Sequence, residues 1–207
     1  MEELELKKVE LPFGKVIYQY KKGQRITEDT GILVDSVLNI HGSEKCRVLD
    51  MGSGTGIVAI MLSYYRPEWQ ITGIEIQEQL VELAERNNEE AGTNANFLHA
   101  DLRVLSKEWF DSFGLVVSNP PYFPYDKGKV SENHERAISR IELTCSMKSV
   151  VSAVSSYLSS DGSAYIMYPS DRREEMQKEA AVNEMMVVSE TELGNRNKKI
   201  VFRMKKR

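Results

Sequence analysis

The sequence predicts an α/β fold: a mostly parallel sheet with helices on both faces. Three observations predict it. From residue 46 onward, short apolar runs alternate with longer helical patterns, as in successive βαβ units. The first run, Val48-Leu49-Asp50-Met51, opens into glycines at 52, 54 and 56 and then a helix. The last two runs, Glu184–Thr191 and Lys199–Lys205, read as a closing antiparallel pair.

Residues 1–44 are expected to form a small N-terminal extension. Within it Pro12–Arg25, with Phe13, Tyr18 and Tyr20 among lysines and glycines at 14 and 23, reads as a hairpin cap. Glu28–Leu38 reads as a helix leading into the first strand of a second unit, 45–207. There Cys46–Met51 is a buried strand, and Gly56–Tyr65, apolar on most faces, is a buried helix stopped by Pro67. Gln70–Ile76 is the second strand. Gln77–Ala91 sets Leu80, Val81, Leu83 and Ala84 on one face, with Gly92 as its C-cap. Asn96–Ala100 and Phe113–Ser118 are the third and fourth strands. Met147–Leu158 reads as a helix, Asp161-Gly162 as a turn and Ser163–Tyr168 as the fifth strand. Ser170 is expected to cap a helix through Val182.

The chain has 207 residues, room for one domain and a small extension. With 41% apolar and 28% charged residues it is neither fibrous nor wholly disordered. No apolar run approaches the ~18 residues of a bilayer span. Met1–Glu10 is charged and lacks the apolar stretch of a secretory signal. Cys46 and Cys145 are too few for a disulfide framework or an all-cysteine zinc site, so a reducing cytoplasm is expected. His41, His99 and His134 have no partners at ligand spacing and read as surface or loop residues; no metal is expected. Trp69 and Trp109 read as packing at helix ends.

The net charge of −4 is unevenly spread. Segments 1–6, 7–25 and 196–207 carry −3, +5 and +7, which leaves −13 on the body between 26 and 195. Basic ends on an acidic body suit a polyanion, whose counterions they release. They equally suit two exposed, solubilising strands.

The glycine segment Asp50-Met51-Gly52-Ser53-Gly54-Thr55-Gly56 sits where open α/β sheets bind ligands, at the carboxyl end of a strand. Alone it is equally a tight turn. Acids at later strand ends change the weight. Glu75 ends the second strand, 25 residues after Asp50, where a carboxylate accepts both hydroxyl protons of a ribose. Asp101 follows the third strand and suits the exocyclic amine of an adenine. The dinucleotide pattern G-x-G-x-x-G fails at Ile57, and no phosphate-binding G-x-x-x-x-G-K-[ST] is present. Asp50, placed before the glycines, is wrong for a pyrophosphate and right for a cofactor carrying positive charge.

The second constellation is Ser118-Asn119-Pro120-Pro121-Tyr122-Phe123, after the fourth strand. Two prolines remove two backbone donors, so the main chain offers only carbonyl acceptors. Asn119 adds its amide oxygen. Tyr122 and Phe123 add flat faces. A planar substrate bearing an NH₂ group fits such a slot; a proline turn that merely stops a strand is the plainer reading. A base read this way must be unpaired or flipped out.

Asp50-x-Gly52-x-Gly54-x-Gly56, with Glu75 and Asp101, resembles the class I S-adenosylmethionine-dependent methyltransferases over roughly 46–207. That resemblance implies a Rossmann-like seven-stranded sheet with an antiparallel last strand. It also implies a cofactor site of Asp50, Gly52, Ser53, Gly54, Gly56, Glu75, Ile76, Asp101, Leu102 and Asn119. Asn119-Pro120-Pro121-Tyr122 is similar to motifs of amino-methyltransferases acting on DNA, on rRNA and tRNA bases, and on release-factor glutamine. The whole chain most resembles the tRNA1(Val) adenine-37 N6-methyltransferase family. Pro12–Asp29, Asn119–Phe123, Ala137–Thr144 and Lys198–Arg203 carry that likeness, and Asn195–Lys199 departs from its usual turn. The resemblance implies catalysis by Asn119, Pro120, Pro121 and Tyr122. It implies a tRNA partner held by Tyr122, Phe123, Arg140, Lys198 and Lys199, with no membrane or obligate protein partner. Glu28 and Asp29 are further candidates to touch the cofactor. Tyr125–Ser139, long and polar, is expected to form a flap over the substrate.

Overall fold

The computed structural model describes residues 5–21, 28–42, 44–104, 106–120, 146–193 and 198–207. Pro121, Tyr122, Phe123, Arg140, His134, Cys145, Gly23 and the expected flap lie outside the described residues, as does the side chain of Glu28.

Two sheets are present among these residues. The small one pairs β1 (Leu6–Glu10) with β2 (Val16–Tyr20). The large one has seven strands: β3 (Arg47–Met51), β4 (Gln70–Glu75), β5 (Asn96–His99), β6 (Phe113–Ser118), β7 (Leu158–Pro169), β8 (Met185–Glu192) and β9 (Lys199–Lys206). Their order is β5-β4-β3-β6-β7-β9-β8. Only β9 runs against its neighbours, as expected for the last strand.

Among the described residues five α-helices flank the sheet: α1 (Glu28–Leu38), α2 (Ile57–Tyr65), α3 (Glu78–Ala91), α4 (Met147–Tyr157) and α5 (Arg173–Val182). The chain leaves β3 outward through α2 to β4, then returns to β6 on the other side of β3. Right-handed crossovers therefore put α2 and α3 on one face and α4 on the other. This reversal makes the carboxyl ends of β3 and β6 the crevice of the sheet. The core is apolar throughout the central strands, where Val48, Leu49, Leu115, Val116 and Ile166 are fully buried.

Three sequence expectations need correction. The hairpin's first strand lies upstream of Pro12, which sits in the turn; Leu11 N–H bonds the Lys15 carbonyl at 2.7 Å. That strand, LKKVE, is half exposed along its length, so its burial pattern hides behind its lysines. Asp161-Gly162 is not a turn. It lies in a bulge, because β7 passes from the Phe113–Leu158 pair directly to the Leu115–Ser163 pair. Ser170 does not cap α5. It opens a 3₁₀ turn, Ser170–Arg172, and its N–H bonds the Lys198 carbonyl at 2.6 Å. His41 lies in a loop, as expected, and is half-buried. The exit from α1 lays it on β7, where Nε2 lies 2.9 Å from the Tyr165 hydroxyl. Burial, then the charges of Arg203 and Lys205, hold its pKa below the usual imidazole range.

Among the described residues no helix is long and apolar enough to cross a membrane. None gathers three His, Cys, Asp or Glu side chains at a metal-binding distance.

Candidate active site

The site is built from the β3–α2 connection outward. The loop clings to β4, since the N–H groups of Gly52 and Ser53 both bond the Ile74 carbonyl, at 2.9 and 3.0 Å. Gly52 and Gly54 have φ of +72° and +55°, and a Cβ on either would meet no atom within 4 Å. Their backbone conformation demands glycine, and the space above them is open. Gly56, with φ +83°, shares that conformation, but a Cβ there would also lie 2.8 Å from Phe97 Cζ, so it is in addition a packing glycine that lets α2 and β5 approach.

Two carboxylates frame the loop. Glu75, 7% exposed, accepts the Gly54 N–H at 3.1 Å and the Gln77 N–H at 3.1 Å. One carboxylate thus spans the glycine loop and the start of α3. Asp50, 1% exposed, accepts the Ala59 N–H at 3.2 Å in the first turn of α2. Burial pushes its pKa up to about 7; the Ala59 bond opposes this and the charge of Glu75 adds to it.

β6 brings the second constellation alongside. Asp50 and Val117 are register partners, so Gly52 and Asn119 leave the sheet at the same level on adjacent strands. Ser118 Oγ donates to the Met51 carbonyl at 2.7 Å across that seam. Two polar atoms here, Asn119 Oδ1 and Ser53 Oγ, are buried with no hydrogen-bond partner among the described residues. Buried polar atoms are nearly always satisfied, so an orphan beside a crevice is an atom available to a ligand. Pro120 is buried beside Asn119.

The other expected residues fall on the same edge of the sheet, in part. Ile76, 38% exposed, projects an apolar side chain just past β4, and Leu102 is buried past β5. Asp101 is engaged: Arg103 Nε lies 3.0 Å from both carboxylate oxygens and Nη2 lies 2.5 Å from Oδ2. Hydrogen bonding from Arg103 holds its pKa below the usual carboxylate range. Lys198 is exposed at the start of β9. Lys199 is committed elsewhere, with Nζ 2.7 Å from Asp29 Oδ2 in a largely buried ion pair between β9 and α1. Asp29, expected near the cofactor, is therefore tied to that strand.

The basic C-terminus is also split. Because β9 is antiparallel, Lys199 faces Pro169 at the carboxyl end of β7 while Lys206 faces Met185 at the other edge, about 24 Å away along the strand. Lys206 pairs with Asp111.

Two residues at the site were missed from sequence. Ser118 reads as the end of an apolar strand, yet its hydroxyl joins β6 to β3. Asn87 reads as one more polar helix residue, yet it is fully buried and bonds the Thr55 carbonyl at 3.0 Å. A signal for Asn87 existed: it falls three residues after Ala84 and four before Ala91, on the buried stripe of α3.

The sequence pattern of the methyltransferase small domain matches residues 23–193. The chain is 39% identical over 99 residues to a release factor glutamine methyltransferase of Shewanella oneidensis, covering 45% of this chain and 32% of that one. It is 27% identical over 184 residues to a tRNA1(Val) (adenine(37)-N6)-methyltransferase of a Flavobacteriaceae bacterium, covering 87% of this chain and 75% of that one. In fold it matches the 16S rRNA N2 G1207 methyltransferase of T. thermophilus, solved with AdoMet and guanosine. The TM-score is 0.70 at 15% identity, over 98% of this chain and half of that one.

Proposed function

The chain belongs to the methyltransferase small domain family, and from that premise we propose that it moves a methyl group from S-adenosylmethionine to the exocyclic N6 amine of an adenine in tRNA. The observation that carries the proposal is the orphaned, buried Asn119 Oδ1 at the end of β6, level with the open glycine loop at the end of β3.

The residues fit the cofactor. The Gly52–Gly54 backbone leaves room for it, and Ser53 Oγ is an unspent polar atom inside that cradle. Asp50 would face its positive charge, Glu75 its ribose hydroxyls and Asp101 its adenine amine, with Ile76 and Leu102 as apolar neighbours. When bound, the group supplies an electrophilic methyl on a sulfonium.

The chain's own part is to prepare the acceptor. An amine conjugated into a purine ring is a poor nucleophile. Asn119 Oδ1 and the Pro120 carbonyl would accept its two N–H bonds, favouring a tetrahedral nitrogen whose lone pair stays free. Neither Pro120 nor Pro121 has an N–H to compete for those acceptors. Tyr122 and Phe123 would stack on the base, and Arg140 and Lys198 would meet the RNA. Rate enhancement then comes mainly from holding two reactants in line. We assign 1–44 as an extension and 45–207 as the methyltransferase unit, acting in the cytoplasm.

A tRNA substrate is supported by the likeness that spans 87% of the chain. The higher identity to a release factor glutamine methyltransferase, over a shorter stretch, favours a second reading: N5-methylation of a protein glutamine, whose amide NH₂ suits the same slot. An rRNA base is a third acceptor of that chemistry. Offering the protein methyl-labelled S-adenosylmethionine with unmodified tRNA, with ribosomal RNA and with release factor separates them. Label in N6-methyladenosine from tRNA supports the first reading. Label only in glutamine, or only in rRNA nucleosides, transfers the function to the other acceptor.

A further inference from the structure

We propose that Asn87 is a positioning residue that couples the N-terminal hairpin to the glycine loop, so that hairpin docking and cofactor binding strengthen each other. The inference rests on the cofactor reading above.

Asn87 sits in the middle of α3 with no exposed surface. Its side chain has one acceptor atom and two donor hydrogens, and all are used. Oδ1 accepts the Tyr18 N–H at 2.7 Å. Nδ2 donates to the Tyr18 carbonyl at 2.9 Å and to the Thr55 carbonyl at 3.0 Å. The first two bonds form a two-point pair with the main chain of one β2 residue, so the amide stands in for a third strand on the open edge of the hairpin. The third bond reaches the residue between Gly54 and Gly56.

The loop around Thr55 has little freedom of its own. Gly54 N–H is held by Glu75, and Gly56 N–H bonds the Ser53 carbonyl at 2.9 Å. A shift of the Thr55 carbonyl therefore pulls on Asn87, and a shift of Asn87 breaks the Tyr18 pair. In a dry interior a half-satisfied amide is strongly disfavoured, so the bonds are made or lost together. The hairpin has other anchors, the fully buried Ile17 among them. Phe13 stacks on Tyr64, with ring centroids 3.8 Å apart, and Arg86 covers the Tyr18 ring at 4.2 Å. Coupling through one shared group is reciprocal: whatever orders the loop must order the hairpin by the same factor.

The test uses the full chain and S-adenosylhomocysteine. Amide exchange is followed at Tyr18, with Val187 on β8 as an internal reference far from the loop. Affinity is measured by calorimetry for the wild type and for Phe13→Ala, which loosens the hairpin without touching Asn87, the loop or any proposed cofactor residue. The expected result is that ligand slows Tyr18 exchange more than Val187 exchange, and that Phe13→Ala binds about fivefold more weakly while its circular dichroism is unchanged. Ligand binding with equal effects on Tyr18 and Val187, or with wild-type affinity in Phe13→Ala, overturns this proposal alone. Failure of the wild type to bind the ligand overturns the cofactor reading and this proposal together.

Discussion

Ser118 Oγ donates to the Met51 main-chain carbonyl at 2.7 Å, a bond across the seam where the glycine loop and Asn119 leave adjacent strands. Both groups are buried. Ser118→Ala leaves the Met51 carbonyl unsatisfied, which is expected to destabilise the fold by about 1–3 kcal/mol. Methyl transfer should fall further than the lost fraction of folded protein, because the seam between β3 and β6 loosens. Urea unfolding and turnover on the same samples check this. Unchanged stability would show that the bond contributes nothing net.

Asp50 gives a pH dependence with a definite sign. Its folded pKa of about 7 lies above the unfolded value of about 3.9. The unfolded state therefore ionises first, and stability falls as pH rises from about 4 to about 7. Asp50→Asn keeps an acceptor for the Ala59 N–H and has no proton to lose. The variant is expected to gain on the wild type across that window, by an amount of order a few kcal/mol at pH 8, and to show no gain below pH 4. Thermal melts of both proteins from pH 4 to 8 decide it. A difference that stays constant with pH would contradict the assignment.

The same carboxyl predicts how cofactor affinity moves. A cation facing Asp50 favours its ionised form and so releases a proton on binding. Affinity for S-adenosylmethionine should rise with pH up to about 7 and level off above it, approaching tenfold per unit on the acid side. Calorimetry in buffers of different ionisation heat would detect the proton. Affinity that is flat from pH 5.5 to 8 would place the cation elsewhere.

Lys198 and Lys199 should separate cleanly. Lys199 lies in a buried pair with Asp29, so Lys199→Met is expected to lower stability by about 3 kcal/mol and leave the salt dependence of tRNA binding unchanged. Lys198 is exposed, so Lys198→Ala is expected to keep stability within about 0.5 kcal/mol and to reduce the salt slope by about 1. Urea unfolding and tRNA titrations at several salt concentrations read both. The reverse pattern would make Lys199 the RNA contact.

These residues also show what the sequence can and cannot yield. Phe113–Ser118 and the Gly92 end of α3 match their expectations because a buried parallel strand and an αL cap leave local signals. The glycine loop is legible for the same reason: its backbone conformation restricts the residue type. Asp161-Gly162 misleads, because the composition of a bulge is that of a turn. Only pairing with β6 separates them. Lys199 and Asn87 are illegible in a different way. A lysine in a basic run reads as solvated and an asparagine in a charged helix as exposed, and their partners lie 170 and 69 residues away. Counting charge along the chain also merges the two ends of β9, which the antiparallel strand holds at opposite edges of the sheet.

The most direct measurement is the rate of methyl transfer to tRNA by Asn119→Ala at saturating S-adenosylmethionine, set beside its affinity for S-adenosylhomocysteine. If Asn119 orients the acceptor amine, the rate falls more than about a hundredfold while affinity stays within about threefold of the wild type. A loss of tenfold or less with affinity intact would remove Asn119 from the chemistry, and with it the reading of the β3–β6 crevice as the place of transfer.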